Sequence, residues 1–196
     1  MSSFAVVLDT CVLLPAALRD TLLRTAAIRL YRPLWSNDIL DELRRNLREN
    51  RGLADEQADR LIMMMRLSFP EACVDGYHSL ISQMTNDSKD RHVLAAAVKA
   101  GAQTIVTMNL SDFPKSALAP YDVEAQSPDE FLCNLYDLAP QSVSRIVGEQ
   151  ASDLRKPPMS VDDVVAELAK NAPAFAALLT DRQERPGRHR EMTPRP

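Results

Sequence analysis

The chain has 196 residues, 45% of them hydrophobic, and a net charge of −4 at pH 7; that length holds one sizeable core plus an appendage, and the acidic balance excludes a protein that coats nucleic acid by bulk charge, though not a nuclease with local basic faces. No apolar run approaches the roughly 20 residues of a membrane span, and Met1-Ser-Ser-Phe4 lacks a basic leader region, so no signal peptide is expected. Three cysteines, Cys11, Cys73 and Cys133, with no CxxC pairing point to a reducing, cytoplasmic compartment rather than a disulfide frame, and His78, His92 and His189 lack a zinc spacing.

Phe4-Ala-Val-Val-Leu-Asp9 is a continuous run rich in branched residues, the pattern of a fully buried parallel strand. Leucines and alanines then predict a helix over 15–30, and Tyr31-Arg-Pro-Leu-Trp35 a second strand. Ser36 is placed to cap the next helix, whose apolar stripe is Ile39, Leu40, Leu43 and Leu47 and which Gly52 ends. A helix over 55–67 closes at Pro70, and Ala72-Cys-Val74 gives a third strand. Ser88 is a candidate cap for an alanine-rich helix over 89–100, with Gly101 suited to its C′ position. Thr104-Ile-Val-Thr107 reads as a fourth strand and Tyr121-Asp-Val-Glu124 as a fifth, before a helix opening at Ser127-Pro128 with Pro at N1. Further helices are expected over 141–154, 160–171 and 173–179.

Strands alternating with helices predict an α/β fold: a three-layer α/β/α sandwich around a parallel sheet of four to five strands, plus C-terminal helices. The shift in composition after Pro140 divides the chain into an α/β unit over 1–138, a helical extension over 139–181 and a tail over 182–196, rich in Pro and Arg and expected to be disordered. The extension has apolar faces too small to bury a core alone, so it should dock on the main unit or on a partner.

In a parallel sheet all strands end on one edge, and the crossover helices begin there. Asp9 ends the first strand, Asp112 follows the fourth, Asp90 lies in the first turn of one helix and Glu42 in the second turn of another. All four are thus expected in the crevice where open α/β sheets bind ligands. Hard cations such as Mg²⁺ or Mn²⁺ take oxygen ligands, lower the pKa of bound water and neutralise phosphate charge, which points to phosphodiester hydrolysis with one ion or two. Without such a cation the acids repel one another and some pKa values rise.

Each acid has an ordinary alternative. Asp9 could form a turn, Asp90 could complement a helix dipole, Glu42 could pair with Arg45 or Asn46 on a solvated face, and Asp112 could cap a turn. Together the four favour ligation. Asp41 and Asp87 read as solvated. Arg44, Arg45, Arg48 and Arg51 beside Glu42, and Lys89 and Arg91 beside Asp90, are either solvated faces or a rim that holds RNA phosphates. His92 reads as a structural histidine, and Met63-Met-Met65 as core or a pliable partner surface.

Val7-Leu-Asp-Thr-Cys-Val12, Ile39-Leu-Asp-Glu-Leu43, Asp87-Ser-Lys-Asp-Arg-His-Val-Leu-Ala95 and Val106-Thr-Met-Asn-Leu-Ser-Asp-Phe113 resemble, in order and spacing, the four acidic motifs of the PIN-domain family of metal-dependent ribonucleases. The resemblance covers about 4–135. It implies Asp9, Glu42, Asp90 and Asp112 as metal-binding carboxylates, with Thr10 and Asn109 supporting them. It also implies Mg²⁺ or Mn²⁺ as cofactor, RNA as substrate and, for the VapC-type toxins with a C-terminal extension that this chain resembles, a protein antitoxin and a homodimer as partners. Non-toxin RNA-processing nucleases and inactive interaction modules share the pattern. A haloacid-dehalogenase-like phosphatase needs a second aspartate where Cys11 stands, a receiver domain needs an earlier acidic pair, and a P-loop needs clustered glycines, which Gly52, Gly76, Gly101, Gly148 and Gly187 do not provide.

Overall fold

The computed structural model describes residues 4–155 and 157–184, with side chains through Asp181, so the tail expected over 182–196 lies largely outside the described residues. Five strands, β1 (Ala5–Leu8), β2 (Arg32–Ser36), β3 (Cys73–Val74), β4 (Thr104–Val106) and β5 (Glu124–Gln126), form one parallel sheet in the order β3-β2-β1-β4-β5. Val7 lies opposite Leu34 on one side and Ile105 on the other, so the central strand is buried on both faces; Val6, Val7 and Leu8 are fully buried. Helices flank the sheet as the alternating pattern predicts, giving the α/β/α sandwich. Among the described residues no helix is long and apolar enough to cross a membrane.

Local chemistry sets the element ends. The helix expected over 15–30 divides at Pro15, where the chain is extended, into α1 (Thr10–Leu13) and α2 (Ala16–Ala27). Arg29, at φ 62°, then turns the chain into β2. Ser36 caps α3 (Asn37–Glu49) by accepting from Ile39 N at 3.2 Å. The next helix, α4 (Asp55–Ser68), runs back along α3, and a short α5 (His78–Ile81) follows β3. The helix α6 (Arg91–Ala100) starts later than its sequence suggests, with Asp90 rather than Ser88 at the N-cap, and ends at Gly101 with φ 64°, a left-handed position natural to glycine. A 3₁₀ turn (Leu110–Asp112) and α7 (Lys115–Leu118) follow β4. The fifth strand lies at 124–126 rather than 121–124, because a 3₁₀ turn takes up Tyr121 and Asp122 adopts φ 53°.

After α8 (Pro128–Leu138), which ends the unit expected over 1–138, the extension comprises α9 (Pro140–Asp153), α10 (Val161–Ala169) and α11 (Pro173–Glu184), the last running past the expected residue 179. It docks on the α/β unit. Phe131 of α8 meets Tyr31 edge-on at 5.0 Å between ring centroids, and Val143, Val147, Val164, Leu168 and Phe175 join the common core. Gln150 of α9, 1% exposed, accepts from Thr21 Oγ1 at 2.7 Å and donates to the Ala17 carbonyl at 3.0 Å. Arg24 pairs with Asp153 at 2.9 Å beside it. Asp129 at the start of α8 accepts from Ala174 N and Phe175 N, capping α11.

Candidate active site

The strand that ends at Leu8 hands the chain directly to Asp9, which caps the single turn of α1. Its carboxylate is buried, 3% exposed, and fully engaged. Oδ1 accepts from Thr10 N at 2.7 Å; Oδ2 accepts from Thr107 Oγ1 at 2.7 Å and from the Cys11 thiol at 3.2 Å. A buried carboxylate would otherwise carry a large desolvation cost, and three donors offset it. Burial, and then the charge of Asp9, push the Cys11 thiol up to about 12, so it remains a protonated donor rather than a nucleophile. Thr10 uses its hydroxyl to reach Glu42 Oε2 at 3.0 Å. One dipeptide therefore orients two of the four acids.

Beside Asp9 opens a crevice of about 650 Å³. Its walls include Asp38, Asp41, Glu42 and Arg45 from α3, Lys89, Asp90 and His92 at the start of α6, and Asn109 and Asp112 after β4. Of the four expected acids, Glu42, Asp90 and Asp112 line this space, while Asp9 is buried next to it rather than facing it. The four act on one another nonetheless. The Asp90 carboxyl is pushed up from 3.8 to about 7, first by burial and then by the charges of Asp9, Asp112, Asp87 and Glu42. Asp90 caps α6 without a side-chain hydrogen bond, so no donor of its own helix offsets that repulsion.

The donor set is all oxygen, which suits Mg²⁺ or Mn²⁺. Among the described residues no three His, Cys, Asp or Glu side chains converge into a closed metal cage. An open acidic crevice fits a cation that keeps several of its waters and takes few protein carboxylates. The residues available to hold it are Asp90, Glu42 and Asp112, with Asp9 behind them.

The basic residues divide. Arg45 and Lys89 line the crevice. Arg44 and Arg48 do not: they pair with Asp59 and Asp55 across the antiparallel α3–α4 contact, on the outer surface. Arg91 turns its Nε to the Asn86 carbonyl at 3.3 Å, and Arg51 lies beyond the end of α3. For Arg44 and Arg48 the cause is the packing of α4 against α3, which the predicted helices alone do not give.

Several site residues escaped that reading. Asp41 and Asp38 join Glu42 and Arg45 because positions three, four and seven apart share a helix face, a signal present in the sequence. Thr107 was legible only as a strand end, and its bond to Asp9 spans 98 residues. His92, expected to be a satisfied structural histidine, lines the crevice. Its Nδ1 is buried without a partner and its Nε2 lies 3.9 Å from Glu42 Oε2.

A family model described as PIN domain matches residues 5–111. A second, described as VapC50 C-terminal domain, matches residues 128–181, beginning at α8. A protein of Mycobacterium tuberculosis (strain ATCC 25618 / H37Rv), named "Putative ribonuclease VapC50", is 41% identical over 102 residues, or 52% of this chain and 60% of that protein. The aligned stretch thus spans less than two thirds of that relative. No solved structure matches.

Proposed function

This chain belongs to the PIN-domain family, and on that premise we propose that it is a divalent-metal-dependent endoribonuclease that hydrolyses RNA phosphodiester bonds in the cytoplasm, the toxin of a toxin–antitoxin pair. The observation that carries the reading is electrostatic: Glu42, Asp90 and Asp112 line one crevice with Asp9 buried beside them, and burial together with the charges of the neighbouring acids raises the Asp90 carboxyl to about 7. Carboxylates so arranged need a cation, and a phosphodiester is the substrate that shares one. The name of the M. tuberculosis relative and the match of the extension to a VapC50 domain support the ribonuclease and toxin parts.

When bound, Mg²⁺ or Mn²⁺ supplies positive charge for the phosphate oxygens and lowers the pKa of water. The chain supplies the rest. Thr10 N, Thr107 and Cys11 fix the oxygens of Asp9, and Thr10 Oγ1 fixes Glu42. Arg45 and Lys89 draw the RNA backbone to the crevice while carrying no sequence information. Asn109, also on the crevice wall, offers an amide to the substrate.

Asp9→Asn tests the reading. It keeps an acceptor for Thr10 N, and the Thr107 hydroxyl can turn to accept from the new amide, so the fold is expected to survive while the charge is lost. Purified protein should cleave RNA only with Mg²⁺ or Mn²⁺, and the variant should lose that cleavage at unchanged melting temperature. Equal cleavage by the variant sinks the assignment. Expression of the intact chain should slow growth unless an antitoxin is supplied; cleavage without toxicity would make it a processing nuclease instead.

A further inference from the structure

Among the described residues three side chains have a buried polar atom with no partner, Trp35, Asn86 and His92, and of these His92 alone stands on the crevice wall. Its surroundings are otherwise well supplied. Asp9 takes three donors, Thr107 accepts in turn from Asn109 N at 3.0 Å, and Met108 N donates to the Cys11 sulfur at 3.1 Å. The loop after β4 that carries Asn109 and Asp112 is thereby tied to Asp9. His92 is the second residue of α6, and residues 93–97 of that helix are fully buried. Glu42 rides on α3, anchored by the fully buried Ile39, Leu40 and Leu43. Two fixed helices therefore bring His92 Nε2 to 3.9 Å from Glu42 Oε2.

The imidazole can carry its proton on either nitrogen, and its surroundings choose between them. A proton on Nδ1 would be a buried N–H without an acceptor, whereas a proton on Nε2 faces the Glu42 carboxylate. Ligation of a cation by Nε2 is excluded on the same ground. A metal-binding histidine almost always donates its other ring N–H to an acceptor, and Nδ1 of His92 has none. Nε2–H is therefore a donor, and the acceptor in reach is Glu42 Oε2. Closing the gap to hydrogen-bond distance takes a movement of about 1 Å. The Glu42 side chain is 35% exposed and free to turn that far, and Thr10 Oγ1 already donates to the same oxygen at 3.0 Å. We propose that His92 is a positioning residue: its Nε2–H and the Thr10 hydroxyl together hold Oε2 of Glu42, which leaves Oε1 to the cation. The inference rests on the cation-binding part of the nuclease reading. Held by Thr10 alone, the carboxylate pivots about one contact; held from α1 and α6 at once, it keeps one orientation.

Two variants at one position separate the donor from the ring. His92→Phe keeps the ring and removes both nitrogens; His92→Gln keeps an N–H at the reach of Nε2. Free Mn²⁺, counted by its electron paramagnetic resonance, measures cation binding by the purified chain without RNA. Wild type and His92→Gln should bind Mn²⁺ alike, and His92→Phe about ten- to a hundredfold more weakly. The melting temperature of His92→Phe should be unchanged or raised, since the substitution also removes a buried unpartnered atom. In RNA cleavage at saturating Mn²⁺, His92→Phe should lower kcat about tenfold and leave KM for RNA within about twofold. Adding His92→Phe to Glu42→Ala should cause no further loss of Mn²⁺ binding, because the histidine acts through that carboxylate. His92→Phe binding Mn²⁺ as wild type does, His92→Gln failing to recover, or losses that multiply in the double variant would each overturn the inference. Weaker binding that comes with a lowered melting temperature would do the same, by making the histidine merely structural. A wild-type chain that binds no Mn²⁺ would overturn both readings. The expected Mn²⁺ pattern with no RNA cleavage would instead leave His92 in its role and remove the nuclease reading.

Discussion

Asp90→Asn should make the metal-free protein more stable, and the gain should depend on pH. Between about pH 4 and pH 7 the folded chain keeps Asp90 protonated, because its carboxyl is held at about 7, whereas the unfolded chain ionises it near the ordinary 3.8. The folded state then binds more protons, so stability falls as pH rises through that window and stays at the reduced level above it. At ~1.4 kcal/mol per tenfold change in proton affinity, the full conversion would be ~4 kcal/mol. Asp90 is only half-buried, so solvent screening leaves ~1–2 kcal/mol. Asparagine does not ionise and escapes that loss. For a chain of this size the variant should melt about 2–8 °C higher at pH 8, with the gain shrinking steadily towards pH 4. Differential scanning calorimetry in EDTA at pH 5 and pH 8 measures it. Saturating Mg²⁺ at pH 8 should raise the wild type towards the variant, since the cation offsets the repulsion among the ionised acids. An equal gain at both pH values, or a loss at pH 8, would refute the argument that burial and the repulsion of the neighbouring acids hold the carboxyl up.

Two further substitutions probe other parts of the argument. Arg45→Ala should weaken RNA binding several-fold and flatten its salt dependence, while Arg44→Ala, which only breaks the pair with Asp59 on the outer face, should leave both unchanged; titration at two salt concentrations distinguishes them, and equal effects would place Arg44 on the RNA path. Gln150→Ala removes the buried bridge from α9 to Thr21 and Ala17, which should cost about 1–3 kcal/mol and lower the melting temperature while leaving RNA cleavage per folded molecule intact; an unchanged melting temperature would mean that the apolar seam alone seats the extension.

The sheet edge was legible because strand ends and helix starts can be counted without knowing how anything packs. Asp9, Asp90 and Asp112 follow from that count, and the helical period adds Asp38, Asp41 and Arg45 to Glu42. What the count cannot give is packing at long range. Arg44 and Arg48 fit either a solvated face or a phosphate rim in the sequence, and only the packing of α4 along α3 pairs them with Asp59 and Asp55. Gln150 is buried, and its bond to Thr21, 129 positions away, is a partner that no local pattern announces. The displacement of β5 comes from the 3₁₀ turn that takes up Tyr121 and ends at Asp122, whose positive φ redirects the chain before the strand begins. His92 was misread for a related reason: an alanine-rich helix suggests a satisfied histidine, but the partner it would need is absent at Nδ1.

Asp9 and Asp90 are the same side chain in opposite circumstances, and the contrast separates their tasks. Asp9 has both oxygens engaged by three donors and no room to move. Asp90 caps its helix without a side-chain bond and stands among four other acids. A chain selected for stability alone would place serine or asparagine at that cap, which complements the helix without adding to the repulsion. Retaining a carboxylate there costs stability in the metal-free state, and that cost is recovered only when something positive enters the crevice. Asp9 therefore acts as the fixed reference from which Cys11, Thr107 and Thr10 measure out the loop and Glu42, and Asp90 as the acid whose charge depends on what is bound. Exchanging the two environments, by deleting the donors to Asp9 or supplying donors to Asp90, would remove the dependence of the site on a cation and with it the reason for gathering the acids.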